Sequence, residues 1–203
     1  MKTEPLIKGD YYHIYNRGNN GIDLFLEQKN YTHFLRLYEK YINPIADAFA
    51  WCLMKNHFHL LIYIKEDHEI NKKELSYSTT EEPKEINPSK QFSHLFNAYS
   101  QAINKRYKRT GSLFEKSFER KRVTSEKYFY NLIYYIHHNP VHHGFVEKVS
   151  DYPWSSYETI ISSKQTKLKR KEVIGYFDHL DNFKAYHKKE HSFEDIKNIL
   201  IDF

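Results

Sequence analysis

The run Asn56-His57-Phe58-His59-Leu60-Leu61-Ile62-Tyr63-Ile64 constrains the fold more than any other stretch of the chain. Side chains two apart in a strand point to the same side. Phe58, Leu60, Ile62 and Ile64 therefore make one wholly apolar face that has to meet a core. His57 and His59 share the opposite face with Leu61 and Tyr63. Just upstream, Ile45 to Met54 is apolar on both faces, with Phe49, Trp51 and Leu53, as a central buried strand is. Lys55-Asn56 joins the two directly, which predicts an antiparallel hairpin. Two imidazoles side by side on a rigid strand begin a divalent-metal site, but solvent-facing and hydrogen-bonded pairs share the pattern. What the rest of the chain brings to this pair decides between them.

Around the hairpin, Tyr11 to Asn16 alternates apolar and polar residues and stops at Arg17-Gly18-Asn19-Asn20-Gly21, a strand and a turn-rich loop. Phe34, Leu37, Tyr38 and Tyr41 fall at helical spacing in a helix from about Gln28 to Tyr41, ended by Asn43-Pro44. Residues 66 to 90 carry almost no apolar content and read as a mobile insert. From Gln91 to Arg109, Phe92, Leu95, Phe96, Tyr99, Ile103 and Tyr107 lie on one helical face, and Thr110-Gly111 stops the helix. Ser112 to Val123 reads as a strand or extended segment. Tyr152-Pro153-Trp154-Ser155-Ser156-Tyr157 is expected to pack back on the domain. Beyond residue 157 a basic extension follows, with a Lys-rich stretch at 164 to 171 and an amphipathic helix from Phe193 to Phe203. The single cysteine, Cys52, excludes an intramolecular disulfide and a cysteine-rich zinc site. No apolar run of about 18 residues exists to span a membrane, and no apolar signal core follows the N-terminus. A cytoplasmic setting without a membrane partner is expected.

Lys and Arg number 31 against 26 Asp and Glu, a formal charge of +5 that favours a polyanion partner modestly. The charge is not spread evenly. Lys105, Arg106, Lys108 and Arg109 close one helix, and Arg120-Lys121-Arg122 ends the next extended segment, with Lys116 between them and Arg17 in the first loop. Basic residues in a last helical turn also suit the helix dipole. Two such clusters flanking one turn nonetheless make a phosphate-binding surface. Lys167, Lys169, Arg170 and Lys171 are further cations that either contact the polyanion or line a solvated linker.

The next helix, capped by Thr124 or Ser125, runs to a predicted break at Asn139-Pro140. Phe129, Leu132, Ile133 and Ile136 form its apolar stripe. Tyr135 lies at the stripe's edge with Tyr128, Asn131, His138 and Asn139 on its side, and Tyr134 is farther round, nearer to solvent. A boundary tyrosine and a helix-ending asparagine account for this pattern as readily as a site does.

Taken in order, four pieces resemble the single-tyrosine HUH transposases, specifically the REP-associated tyrosine transposases of the insertion-sequence-200-like superfamily. They are Tyr12-His13-Ile14-Tyr15-Asn16-Arg17-Gly18, Met54-Lys55-Asn56-His57-Phe58-His59-Leu60-Leu61, Gly111-Ser112-Leu113-Phe114, and Tyr135-Ile136-His137-His138-Asn139-Pro140-Val141. Asp151 to Tyr157 is also typical of that family, so the likeness covers roughly residues 10 to 157. The resemblance implies an α+β fold of the ferredoxin-like or RNA-recognition-like kind, helices on an antiparallel sheet, with residues 1–157 as the catalytic domain. It implies a divalent ion, Mg or Mn, on His57, His59 and Asn139, and Tyr135 as nucleophile. The implied substrate is single-stranded DNA beside a hairpin, cut and rejoined through a 5′-phosphotyrosine. Proline disfavours helical dihedrals in the residue before it, so His137, His138 and His142 compete with Asn139 for the third ligand position, and Tyr134 competes with Tyr135. A hairpin-binding protein without catalysis and a metal-dependent nuclease using water are the alternative functions; a monomer and a homodimer are equally compatible with the sequence.

Overall fold

The computed structural model describes residues 5–72, 75, 86–115, 117–189 and 191. Its elements run β1 (Tyr11–Arg17), α1 (Gln28–Tyr41), β2 (Ala46–Leu53), β3 (His57–Ile64), α2 (Pro88–Arg106), β4 (Glu119–Arg122), α3 (Glu126–His142), α4 (Tyr157–Ile161), α5 (Arg170–Tyr176) and α6 (Leu180–Lys188). The first six make a β-α-β-β-α-β unit, and the sheet order β2-β3-β1-β4 with every neighbour antiparallel is the ferredoxin-like arrangement. The α+β expectation, an antiparallel sheet with helices packed on it, holds.

The alternation in β3 explains the layering. Phe58, Leu60, Ile62 and Ile64 are buried beneath α1 and α2, with Phe58 ring centroids 5.3 Å from Phe34 and 5.5 Å from Phe96. The other face carries α3, where Phe129 meets Tyr11 at 5.3 Å and Phe49 at 5.6 Å. The β2 register shifts between Ala48 and Ala50, and Phe49 sits in that bulge. Phe58 is fully buried, so Phe58→Ala is expected to cost about 3–5 kcal/mol in urea unfolding. A loss below about 1 kcal/mol would contradict this packing.

Beyond α3 the chain returns to the sheet, as expected of the aromatic segment. Leu53 donates its N–H to the Trp154 carbonyl at 2.8 Å and Ser156 donates to that of Trp51 at 2.9 Å, covering the β2 edge. Residues 158–189 then pack α5 and α6 against the outer side of α3, with Val173 and Phe183 fully buried. Of the four cations singled out there, Lys171 is exposed and the other three are committed within the protein. Lys167 pairs with Glu39 at 2.6 Å, Lys169 with Asp47 at 3.0 Å, and the Arg170 guanidinium donates to the Thr159 and Lys164 carbonyls.

Three boundaries differ from expectation. Helix α2 begins at Pro88, not Gln91, because Asn87 caps it by accepting from the Lys90 N–H. Only Glu119–Arg122 of the 112–123 segment pairs as a strand. Most consequentially, α3 does not break at Asn139-Pro140 but continues through Pro140 to His142. The proline forfeits one amide donor, yet barely one further turn follows, closed by His143 donating to the Asn139 carbonyl and Phe145 to that of Pro140. Burial of Asn139 and Pro140 outweighs the local preference. Within 66–90, residues 67–69 form a short 3-10 turn, and Ile70, Leu75 and Ile86 are buried. Residues 73, 74 and 76–85 of that insert, and the helix expected at 193–203, lie outside the described residues.

Candidate metal and tyrosine centre

The two histidines of β3 open on the α3 side of the sheet. His57 is 3% and His59 0% exposed. The turn before them is held by Gly18, whose N–H donates to the Asn56 carbonyl at 2.8 Å. Gly18 has no room for a side chain: a Cβ there would lie 1.9 Å from the Ile22 carbonyl oxygen. Register pairs Arg17 with His57 and Tyr15 with His59, so β1 contributes to the same face. His13, one step farther along β1, brings its Nε2 to 2.9 Å from His59 Nδ1.

From the other layer, α3 presents Tyr135 and Asn139, four residues apart and one turn distant because the helix stays intact across Asn139. The Tyr135 ring stands edge-on to His59 with centroids 5.3 Å apart, and 6.2 Å from His13. Asn139 Oδ1 is 2.8 Å from His57 Nε2. His57 Nδ1 lies 2.8 Å from Asn56 Oδ1. A neutral imidazole has a single N–H. With Nδ1–H donating to Asn56, the Nε2 lone pair faces the Asn139 amide, a donor pair that could hold a cation. Octahedral ligands about 2.1 Å from an ion sit about 3 Å from each other, close to the spacing observed.

Burial suits the histidines to that task. It pushes His57 down to about 4 and His59 well below its ordinary range, and neighbouring imidazoles add to both effects. His13 falls to about 3, first through burial and then through the charge of Lys121. Neutral imidazoles are the form that binds a metal. Among the described residues no group of three or more His, Cys, Asp or Glu side chains is spaced to hold a metal ion; the further oxygen donor beside His57 is the amide of Asn139.

The competing residues point elsewhere. Tyr134 is buried rather than near solvent because α6 covers it; its ring stacks on His138 at 3.9 Å. His138 Nε2 donates to the His187 carbonyl at 2.9 Å, and Asn131 Oδ1 accepts from the Tyr186 hydroxyl at 2.7 Å. Positions 131, 134 and 138 thus form a stripe of their own facing α6, separate from Tyr128, Tyr135 and Asn139, which corrects the single polar-aromatic face read from the helical wheel. His137 also turns away. His187 Nδ1–H donates to the Phe183 carbonyl, so its Nε2 accepts from His137 Nδ1–H at 2.8 Å, and His137 Nε2 in turn accepts from the Ser156 hydroxyl. His142 is exposed at the end of α3, 6.5 Å from Tyr135 by ring centroid. Sequence reasoning assigned no role to His13, although its parity with His59 across paired strands was a usable signal.

The basic residues divide between two surfaces. Strand alternation puts Lys121, opposite His13, on the histidine face, and Arg120 and Arg122 on the other. Arg120 donates to Ser89 Oγ and lies over the Phe118 ring; Arg122 pairs with Asp10 at 2.7 Å. Arg17 stands beside His57 but is engaged by Glu115. Lys105 and Lys108 are exposed, Arg106 pairs with Glu27, and Arg109 donates to Asn104. Lys116 lies outside the described residues.

No protein-family profile matches the chain. A Haemophilus influenzae protein named as a REP-associated tyrosine transposase is 25% identical over 119 residues, 58% of this chain and 62% of the relative's length. Among solved structures, a REP-associated tyrosine transposase bound to a REP hairpin superimposes with a TM-score of 0.58 at 17% identity, covering 80% of this chain and 86% of that one. A bacterial tRNA(His) guanylyltransferase-like protein in complex with GTP reaches a TM-score of only 0.38 at 12% identity, covering 68% of each chain.

Proposed function

We propose that this chain acts as a REP-associated tyrosine transposase, a reading supported by its likeness to the Haemophilus influenzae relative and by the shared fold, and that it cleaves and rejoins single-stranded DNA beside a hairpin, with Tyr135 as nucleophile. The observation that carries the reading is the meeting of Tyr135 and Asn139 on α3 with His59 and His57 on β3. The Tyr135 oxygen attacks the scissile phosphorus, forming the Tyr–O–P bond as the bond to the departing 3′ oxygen breaks. The tyrosine's proton is given up and one is gained by the 3′-hydroxyl, leaving a 5′-phosphotyrosine. Attack by the 3′-hydroxyl of another strand reverses the step and joins DNA without ATP. His57, His59 and Asn139 would hold a divalent ion, Mg or Mn, which when bound supplies positive charge to orient and polarise the phosphate. Lys121, on the same face, and the exposed Lys105 and Lys108 supply phosphate contacts, and the family's substrate, a hairpin with a flanking single strand, is the partner proposed here. No helix among the described residues is long and apolar enough to cross a membrane.

Incubation with Mn2+ and a 3′-labelled strand carrying a hairpin tests this reading. A labelled band that migrates with the denatured protein is expected. Salt-sensitive hairpin binding with no adduct under Mg2+ or Mn2+ would overturn the cleavage reading in favour of a binding protein.

A further inference from the structure

We propose that His13 is a positioning residue for His59: its Nε2 accepts from His59 Nδ1–H and leaves the His59 Nε2 lone pair for the site. The inference rests on the reading of His57 and His59 as a metal-binding pair. His13 is fully buried, and among the described residues its side chain has one hydrogen bond, the 2.9 Å contact with His59; its own Nδ1 has none. A side chain needed there for packing alone would be apolar, since a buried polar atom without a partner is unfavourable. Among the described residues, the polar capacity of His13 is thus directed at His59.

The direction of that bond follows from comparison with His57. With Nδ1–H donated to Asn56 Oδ1, as assigned above, His57 keeps Nε2 for Asn139 and the site. His59 is held by the same nitrogen, with His13 Nε2 in the place of the amide oxygen. Were the proton on His59 Nε2 instead, that nitrogen could not act as a ligand. Partners of this kind fix ring orientation and tautomer at metal-binding histidines, and their removal typically weakens affinity 10–100-fold.

Two measurements test the assignment. In metal-free protein with 15N-labelled histidine, long-range 1H–15N correlation spectra should show His59 protonated on Nδ1; protonation on Nε2 would overturn the proposal. Mn2+ titration followed by electron paramagnetic resonance should show His13→Leu binding about 10–100-fold more weakly. His13→Gln, whose Oε1 can accept from His59, should recover most of that loss. Wild-type affinity in His13→Leu would overturn the proposal while leaving the metal reading intact. If Mn2+ binding is indifferent to His57→Ala and His59→Ala, the metal reading falls and this inference with it. Should His13→Leu not fold, the wild-type tautomer decides.

Discussion

Tyr135→Phe is expected to remove the covalent protein–DNA adduct altogether, at least ~1000-fold below wild type, whereas Tyr134→Phe should still form it. The substitution deletes one oxygen and little else, and the ring of Tyr135 packs edge-on against His59, so the fold has little reason to change. Tyr134 is one residue away but faces the opposite layer, stacked on His138 and 4.2 Å by ring centroid from His191. An adduct that survives in Tyr135→Phe and vanishes in Tyr134→Phe would sink the assignment. Cleavage that continues in Tyr135→Phe without any adduct would point to water as the nucleophile. Denaturing electrophoresis of a 3′-labelled hairpin strand separates these results, because a 5′-phosphotyrosine retains the 3′ fragment.

The second large effect is acid instability. Burial lowers His13 and His187 to about 3 and His57 to about 4, and takes His59 and His137 well below their ordinary range. Above about pH 6.5 these rings are neutral in both folded and unfolded chains and contribute no pH dependence. Below it the unfolded chain takes up protons that the folded one refuses until about pH 4 or 3, so stability falls with pH across that window. Each such histidine costs about 1.4 kcal/mol per pH unit in that range. Several acting together are large beside a typical stability of about 5–15 kcal/mol, so stability should fall steeply as pH drops toward 4. Thermal melts in chelator at pH 7, 6 and 5 should show a steep fall in Tm. A Tm unchanged from pH 7 to 5 would mean that the rings are not held neutral.

Period-two and helical patterns were legible from single stretches of chain. The histidine strand, its hairpin partner and helix α1 follow directly from where apolar residues recur, because one buried face leaves little freedom of register. The site was legible only as far as its parts lie on such elements. Asn139 was obscured by Pro140, since a local steric rule cannot weigh the packing that keeps the last turn helical. The contact between His13 and His59 joins residues 46 apart in sequence and becomes legible only once β1 and β3 are paired. The same holds for His137 and His187, through which the basic extension reaches the back of the helix that carries Tyr135. Alternation also separates what composition groups together: Arg120, Lys121 and Arg122 read as one cluster but serve two faces.

Strand β4 has a consequence for how the protein behaves in company. It is four residues long, lies at the margin of the sheet and carries Glu119, Arg120, Lys121 and Arg122. An outer strand offers backbone groups that invite another chain to add itself, and shortness and positive charge are what discourage that. A second copy approaching edge to edge would meet a margin of only four residues, three of them cationic. A nucleic acid approaching the same margin would meet attraction. The brevity and charge of β4 thus guard the sheet's margin against the addition of a stray strand.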